Sequence, residues 1–165
     1  MGVIKLGFIS VIVFALLITG ISLFFPSHIR ISKAVDINAG KDSVMNMIAD
    51  PVNWKKWYPA ADTAAFYMVA DKVKGITTGD RQALKITEVN DSAVVAVNAG
   101  PAAKRGGSGW NIYDGRTPNT VTVQWYMDFH LHWYPWEKFS SLLLEKRYGA
   151  MMEKGLDKLK NLLEH

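Results

Sequence analysis

Three side chains with metal-binding chemistry recur at two-residue spacing in the stretch DFHLH: Asp128, His130 and His132. Alternate residues of a β-strand share a face, so a carboxylate and two imidazoles could close on one cation. The same alternation argues against that use. In TVTVQWYMDFHL (120–131), Val121, Val123, Trp125, Met127, Phe129 and Leu131 face one way, while Thr122, Gln124, Tyr126, Asp128 and His130, followed by His132, face the other. A core takes the apolar face, which turns the trio to solvent unless a bulge reverses the parity. A second stretch, KRGGSG (104–109), has the composition of a phosphate loop. Its lysine precedes the glycines and no GxxxxGK[ST] pattern exists, so it reads as a flexible strand connection that could gate a cavity. No Ser/His/Asp set or pair of inward carboxylates can be assembled. What remains is a scatter of groups able to polarise a ligand carbonyl: Tyr58, Tyr67, Tyr113, Gln124 and Tyr148.

Composition narrows the classes further. There is no cysteine, which excludes disulfides, thiolate metal sites and a cysteine nucleophile. Nineteen Lys/Arg stand against fifteen Asp/Glu, interspersed and without a long basic run, so no nucleic-acid partner is expected. No cofactor is implied by any motif.

The elements that must position these residues begin with an apolar segment. Gly7 to Phe25 is 19 residues without a charge, about 28 Å as a helix and close to the thickness of a bilayer's hydrocarbon core. It reads as a single membrane anchor over residues 7–25. A cleaved signal peptide is the alternative, with Lys5 as its basic region and Ile18-Thr19-Gly20 as a weak cleavage site. Lys5 and the amino terminus favour an inside N-terminus and Arg30 and Lys33 the reverse, so the side of the membrane stays open.

A strand is expected over 29–39, then a short helix over 40–50 with Val44, Met47 and Ile48 on one face and Asp42 or Ser43 as its cap. Asp50-Pro51 restarts a helix that carries Trp54 and Trp57 three residues apart. Strands follow over 63–70 (an edge strand), 76–80, 82–89, 93–99, 110–115 and 120–131, with a hairpin turn at 90–92 and a loop over 101–109. From Pro135 the period becomes helical. Phe139, Leu142, Leu143, Met151, Met152, Leu156, Leu159 and Leu162 form one stripe, and Gly149 and Gly155 either weaken the helix or admit a close neighbour. The expected divisions are an anchor over 1–27, a domain over 28–162, and Leu163–His165 as the start of an expression-tag scar.

The stretch VDINAGKDSVMNMIADPVNWKKW (35–57) resembles the opening of the START-like, polyketide cyclase/dehydrase-type superfamily, whose helix-grip fold is also that of the major birch pollen allergen. The matching residues are Ile37-Asn38-Ala39, Val44, Ile48, Asp50, Trp54 and Trp57. MMEKGLDKLKNL (151–162) is similar to the end of that family's long helix. Gly40 and Met45 depart from the usual proline and aromatic without touching the order of elements. The resemblance implies an α+β helix-grip fold: a curved antiparallel sheet of about seven strands around a long C-terminal helix, with two short helices after the first strand. It also implies an internal pocket, but not a mechanism, since polar pocket residues differ between members.

The cavity candidates are Trp54, Trp57, Tyr58, Trp110, Ile112, Gln124, Trp125, Met127, Phe129, Tyr148 and Met152. Three functions stay open: a membrane-held binding module for a hydrophobic small molecule or lipid, a cyclase/dehydratase-type enzyme, or an interaction or stress-response module whose cavity is filled by Trp54, Trp125 and Met152.

Overall fold

The computed structural model describes residues 2–59, 61–77, 83–100, 103 and 106–165. Helix α1 (Gly2–Ser22), exposed along most of its length, is followed by strand β1 (His28–Ile37), helices α2 (Lys41–Ala49) and α3 (Trp54–Trp57), and strands β2 (Ala65–Val69), β3 (Lys72–Thr77), β4 (Ala83–Asn90), β5 (Ala93–Ala99), β6 (Gly106–Asp114) and β7 (Val121–His130). The chain ends in α4 (Pro135–Ser140), a 3-10 turn at 141–143, and α5 (Leu144–Glu164). The seven strands form one antiparallel sheet in the order β1-β7-β6-β5-β4-β3-β2. Its curved face grips α5, which makes this an α+β helix-grip fold.

Strand alternation decides the two faces. Along β7, Val121, Val123 and Trp125 are buried and Thr122, Gln124 and Tyr126 are not. Trp110 and Ile112 of β6 and Val94 and Ala96 of β5 continue the inner face. Helix α5 lays Met152, Leu156 and Leu159 on it. Gly155 lets the helix come down onto Trp125 and Pro59, since a Cβ there would stand 2.8 Å from the Trp125 ring.

The short α3 works as a clamp. Trp54 Nε1 donates to the Ile48 carbonyl (2.7 Å) and Trp57 Nε1 to the Met47 carbonyl (3.1 Å). Both acceptors lie in the last turn of α2, where carbonyls lack helical partners. One residue pair thereby fills the core and closes a helix end.

Four expectations are corrected. Helix α2 is capped by Gly40, whose carbonyl accepts from Ser43 and Val44, and not by Asp42 or Ser43. Strand β3 starts at Lys72, because Ala70 and Asp71 both take positive φ (49° and 60°) and close a two-residue turn. Strand β6 starts at Gly106, inside the expected loop; Lys104 and Arg105 of that loop and residues 78–80 of an expected strand lie outside the described residues. Gly106 is needed where it stands, at φ +128° and with no room for a Cβ against the Asp128 carbonyl. Lastly, the helix after Pro135 is broken. Phe139, Leu142, Leu143 and Leu162 are exposed, so only the part of the stripe from Met152 to Leu159 covers the sheet.

Candidate functional site

The inner face divides into a solid part and a hollow one. In the solid part the rings of Trp54, Trp57, Trp110 and Trp125 pack at centroid distances of 5.3 to 6.0 Å, tilted or edge-on. These geometries suit the ring quadrupoles. All four are essentially fully buried, with Ile112 and Met152 beside them.

The hollow part is a cavity of about 230 Å³. Met127 and Phe129 of β7 form one wall and Tyr148 and Met151 of α5 the other; Tyr58 and Pro59 lie on a third side, and Leu84 and Asn98 line it from β4 and β5. Phe129 and Tyr148 meet across it at 4.9 Å. The two methionines can reshape to a guest.

A small polar group sits where solid and hollow meet. Ser108 is buried, and its hydroxyl accepts a hydrogen bond from Trp125 Nε1 at 2.8 Å. Tyr58 stacks on Trp54 (5.4 Å) and lies 5.1 Å from Trp125. Burial pushes its phenol well above the ordinary tyrosine range, and a hydrogen bond with Ser108 only partly opposes that. Tyr58 is therefore a hydroxyl that stays protonated at the edge of the cavity. Among the described residues, the buried polar side chains are Ser22, Ser108, Lys138 and Ser141; Asp128, partly exposed and paired with Arg30, also borders the hollow.

Of the sequence candidates, Tyr58, Met127, Phe129 and Tyr148 come together at the cavity. Trp54, Trp57, Trp110, Ile112, Trp125 and Met152 form the packed core behind it. Gln124 is a correction. It points outward on β7, 3.4 Å from Asn111 and 3.3 Å from the Tyr113 hydroxyl, which takes Tyr113 outward too. Ser108 and Met151 were not singled out from sequence. Ser108 lay in what read as loop, and Met151 was assigned to packing; the Trp110 parity, extended two residues back, would have placed Ser108 inside.

The metal trio does not assemble. Strand β7 ends at His130, and His132 turns away to Glu137, which accepts from its backbone N–H at 2.7 Å. Asp128 is committed on the outer face, accepting two bonds from Arg30 at 2.7 and 2.8 Å. That guanidinium holds the Asp128 carboxyl below the usual range and itself lies 4.2 Å over the Tyr126 ring. His28 and His130 stack beside it at 4.6 Å.

A family model described as polyketide cyclase / dehydrase and lipid transport matches residues 28–164. The chain belongs to this family. The match begins at β1 and takes in the whole sheet and α5, leaving only α1 and its linker in front. Solved structures share the fold. A protein from Thermobifida fusca aligns with a TM-score of 0.61 at 17% identity, covering 82% of this chain and 95% of that one. XoxI from Bacillus cereus aligns at 0.59 and 14%, covering 81% and 94%. StfQ, a di-domain ARO/CYC protein from the steffimycin biosynthetic pathway, aligns at 0.62 and 8%, covering 83% of this chain and 51% of that one. No curated protein matches the sequence. As for α1, it is long and apolar enough to cross a membrane, the property a signal sequence near the N-terminus shares.

Proposed function

We propose that the protein is a membrane-tethered binding module for a hydrophobic small molecule or lipid, held to the bilayer by α1 as a single span. The observation that carries this is the 230 Å³ cavity between β7 and α5, walled by Met127, Phe129, Tyr148 and Met151. A mostly apolar hollow with a few polar groups, here Tyr58 and Asn98, is the usual form of a small-molecule site. Tyr58 supplies the orienting contact, a protonated hydroxyl for a ligand oxygen. The family's description, which joins cyclases and dehydrases with lipid transport, supports the ligand class.

The test is displacement of a fluorescent fatty-acid probe by a lipid panel, paired with native mass spectrometry of the purified chain. Met151→Trp should fill the hollow and abolish probe uptake while the far-UV circular dichroism stays native. Tyr58→Phe should weaken oxygen-bearing ligands by about tenfold, the loss of one buried hydrogen bond, and spare hydrocarbons. Probe uptake unchanged in Met151→Trp would remove the cavity from the account.

One observation favours a second reading. Four indoles already fill the deep half of the inner face, as expected of an interaction module with a reduced cavity. Absence of any ligand from both assays would select it.

A further inference from the structure

The sequence pattern from Pro135 onward asks for a helix that covers the sheet, and its first third does not. Trp133, Trp136, Leu142 and Leu143 are 62 to 67% exposed. These are not scattered side chains. Trp136 stacks on Tyr134 at 4.8 Å and Trp133 lies tilted against it at 5.0 Å, making an aromatic ledge on the surface. A contiguous apolar patch of this kind marks a contact surface.

The structure fixes where the ledge stands. Lys138, 4% exposed, donates to the Phe25 carbonyl (2.8 Å) and to the Ser27 hydroxyl (2.6 Å). Phe139 meets Phe25 edge-on at 5.4 Å. Helix α4 is thus pinned to the residues that leave α1. Helix α1 has 21 residues, about 32 Å, so when it spans a bilayer its last turn reaches the headgroup level. The ledge, fastened there, lies at that same level. Tryptophan and tyrosine are the side chains that prefer this depth. Lys146 and Arg147, exposed at the start of α5, follow immediately, placed for anionic headgroups.

The cavity lies at this end too. Strand register puts His28, His130, Gly106, Ala99 and Ala83 at one end of the sheet and the Asp91 turn at the other. Met127, Phe129, Leu84 and Asn98 belong to the first end, the one from which α1 departs.

The geometry points to a second, interfacial membrane contact: residues 133–143 lie in the headgroup layer of the leaflet where α1 emerges, and they set the cavity end of the domain down on lipid. The occupant of the ledge is the bilayer surface. This rests on α1 being a membrane span, the reading given above.

The absence of cysteine permits a clean test. Single variants Phe14→Cys, Trp136→Cys, Leu142→Cys and Asp91→Cys of the full chain, all at exposed positions, are labelled with an environment-sensitive dye and reconstituted in phosphatidylcholine/phosphatidylglycerol vesicles. A native far-UV circular dichroism spectrum certifies the fold of each. Quenchers are carried on lipids at headgroup and mid-chain depth, and iodide is added to the water. The Phe14 label should be quenched from mid-chain, the 136 and 142 labels from headgroup depth with a blue-shifted emission, and the Asp91 label only by iodide. Labels at 136 and 142 as open to iodide as the one at 91, with Phe14 still in the chains, overturn the ledge and leave the anchor standing. Labels at 136 and 142 shielded from iodide but untouched by lipid quenchers mean that protein covers them, which also overturns it. A Phe14 label in water overturns the anchor and this inference together.

Discussion

Six tryptophans divide between two regions of this molecule that treat them oppositely. Trp54, Trp57, Trp110 and Trp125 are essentially fully buried where α3, β6 and β7 meet α5, while Trp133 and Trp136 stand 62 and 67% exposed between β7 and the 3-10 turn. The difference lies in what each region must face. Trp110 and Trp125 are placed by the sheet's alternation, and three of the four indoles donate N–H bonds, Trp54 and Trp57 to α2 and Trp125 to Ser108. The outer two flank Tyr134, Trp136 stacked on it and Trp133 tilted against it. The same side chain therefore measures burial in one place and invites a partner in the other. A core indole should be costly to lose and an outer one nearly free.

The largest expected effect tests that contrast directly. Trp125→Ala should lose about 3–5 kcal/mol in urea unfolding of the full chain in micelles, the usual cost of a large aromatic cavity. Trp136→Ala should stay within about 0.5 kcal/mol, as surface changes do. Equal losses would mean that the ledge is part of the core, and the division would fail.

A smaller effect probes how closely α5 sits on the inner tryptophans. Gly155→Ala gains about 1 kcal/mol of helix propensity but drives a methyl into the Trp125 ring and Pro59, so the net should be a loss of about 1–2 kcal/mol. At Gly149 the added methyl meets the flexible end of Lys33 instead, and Gly149→Ala should keep most of the propensity gain. Opposite signs at two glycines six residues apart, read in the same unfolding curves, would confirm that only the second touches the indole cluster.

How much of this was legible beforehand follows from what each pattern encodes. Period-two alternation marked the inner face of β7, because pleating alone sets it. Helical spacing marked Val44 and Ile48, and Trp54 with Trp57, for the same reason. The β2–β3 turn was missed because Ala70 and Asp71 adopt positive φ without glycine or asparagine. The start of β6 was missed because glycines read as loop, when at Gly106 and Gly107 it is the neighbouring strands' backbones that exclude a side chain. The break at 141–143 was invisible for a deeper reason. Leucine periodicity records which residues avoid water and not which surface shelters them, so one stripe served the sheet in α5 and stayed uncovered at Leu142 and Leu143. Of the site, the walls Met127, Phe129, Tyr148 and Tyr58 were legible; Ser108 and Met151 needed the register and the helix position.

Within the inner group, two indoles are not equivalent. Trp125 Nε1 is bonded to Ser108, whereas Trp110 Nε1 is buried with no partner among the described residues. Changing either to phenylalanine removes similar volume, but only Trp125→Phe also breaks a bond. Trp125→Phe should therefore cost about 1 kcal/mol more than Trp110→Phe. A reversed order would show that Trp110 Nε1 is bonded to something, and a bound ligand or buried water would become the first suspect.

The smallest effect belongs to the outer face of the same strand, at the end that leads to the exposed pair. The Arg30 guanidinium depresses the Asp128 pKa, so between its folded and unfolded values the unfolded chain binds the extra proton. The stability this contributes is complete above the ordinary carboxyl range, near pH 4, and is lost as pH falls through the lower folded value. Arg30 is more than half exposed, so water and salt screen the pair and its worth is about 0.5 kcal/mol. Asp128→Asn should therefore be slightly less stable than the parent at pH 7, with the gap closing as the buffer is taken below about pH 4 and shrinking in high salt. A gap of several kcal/mol, or one that persists in acid, would mean that the outer face at this end holds the fold as firmly as the indoles do.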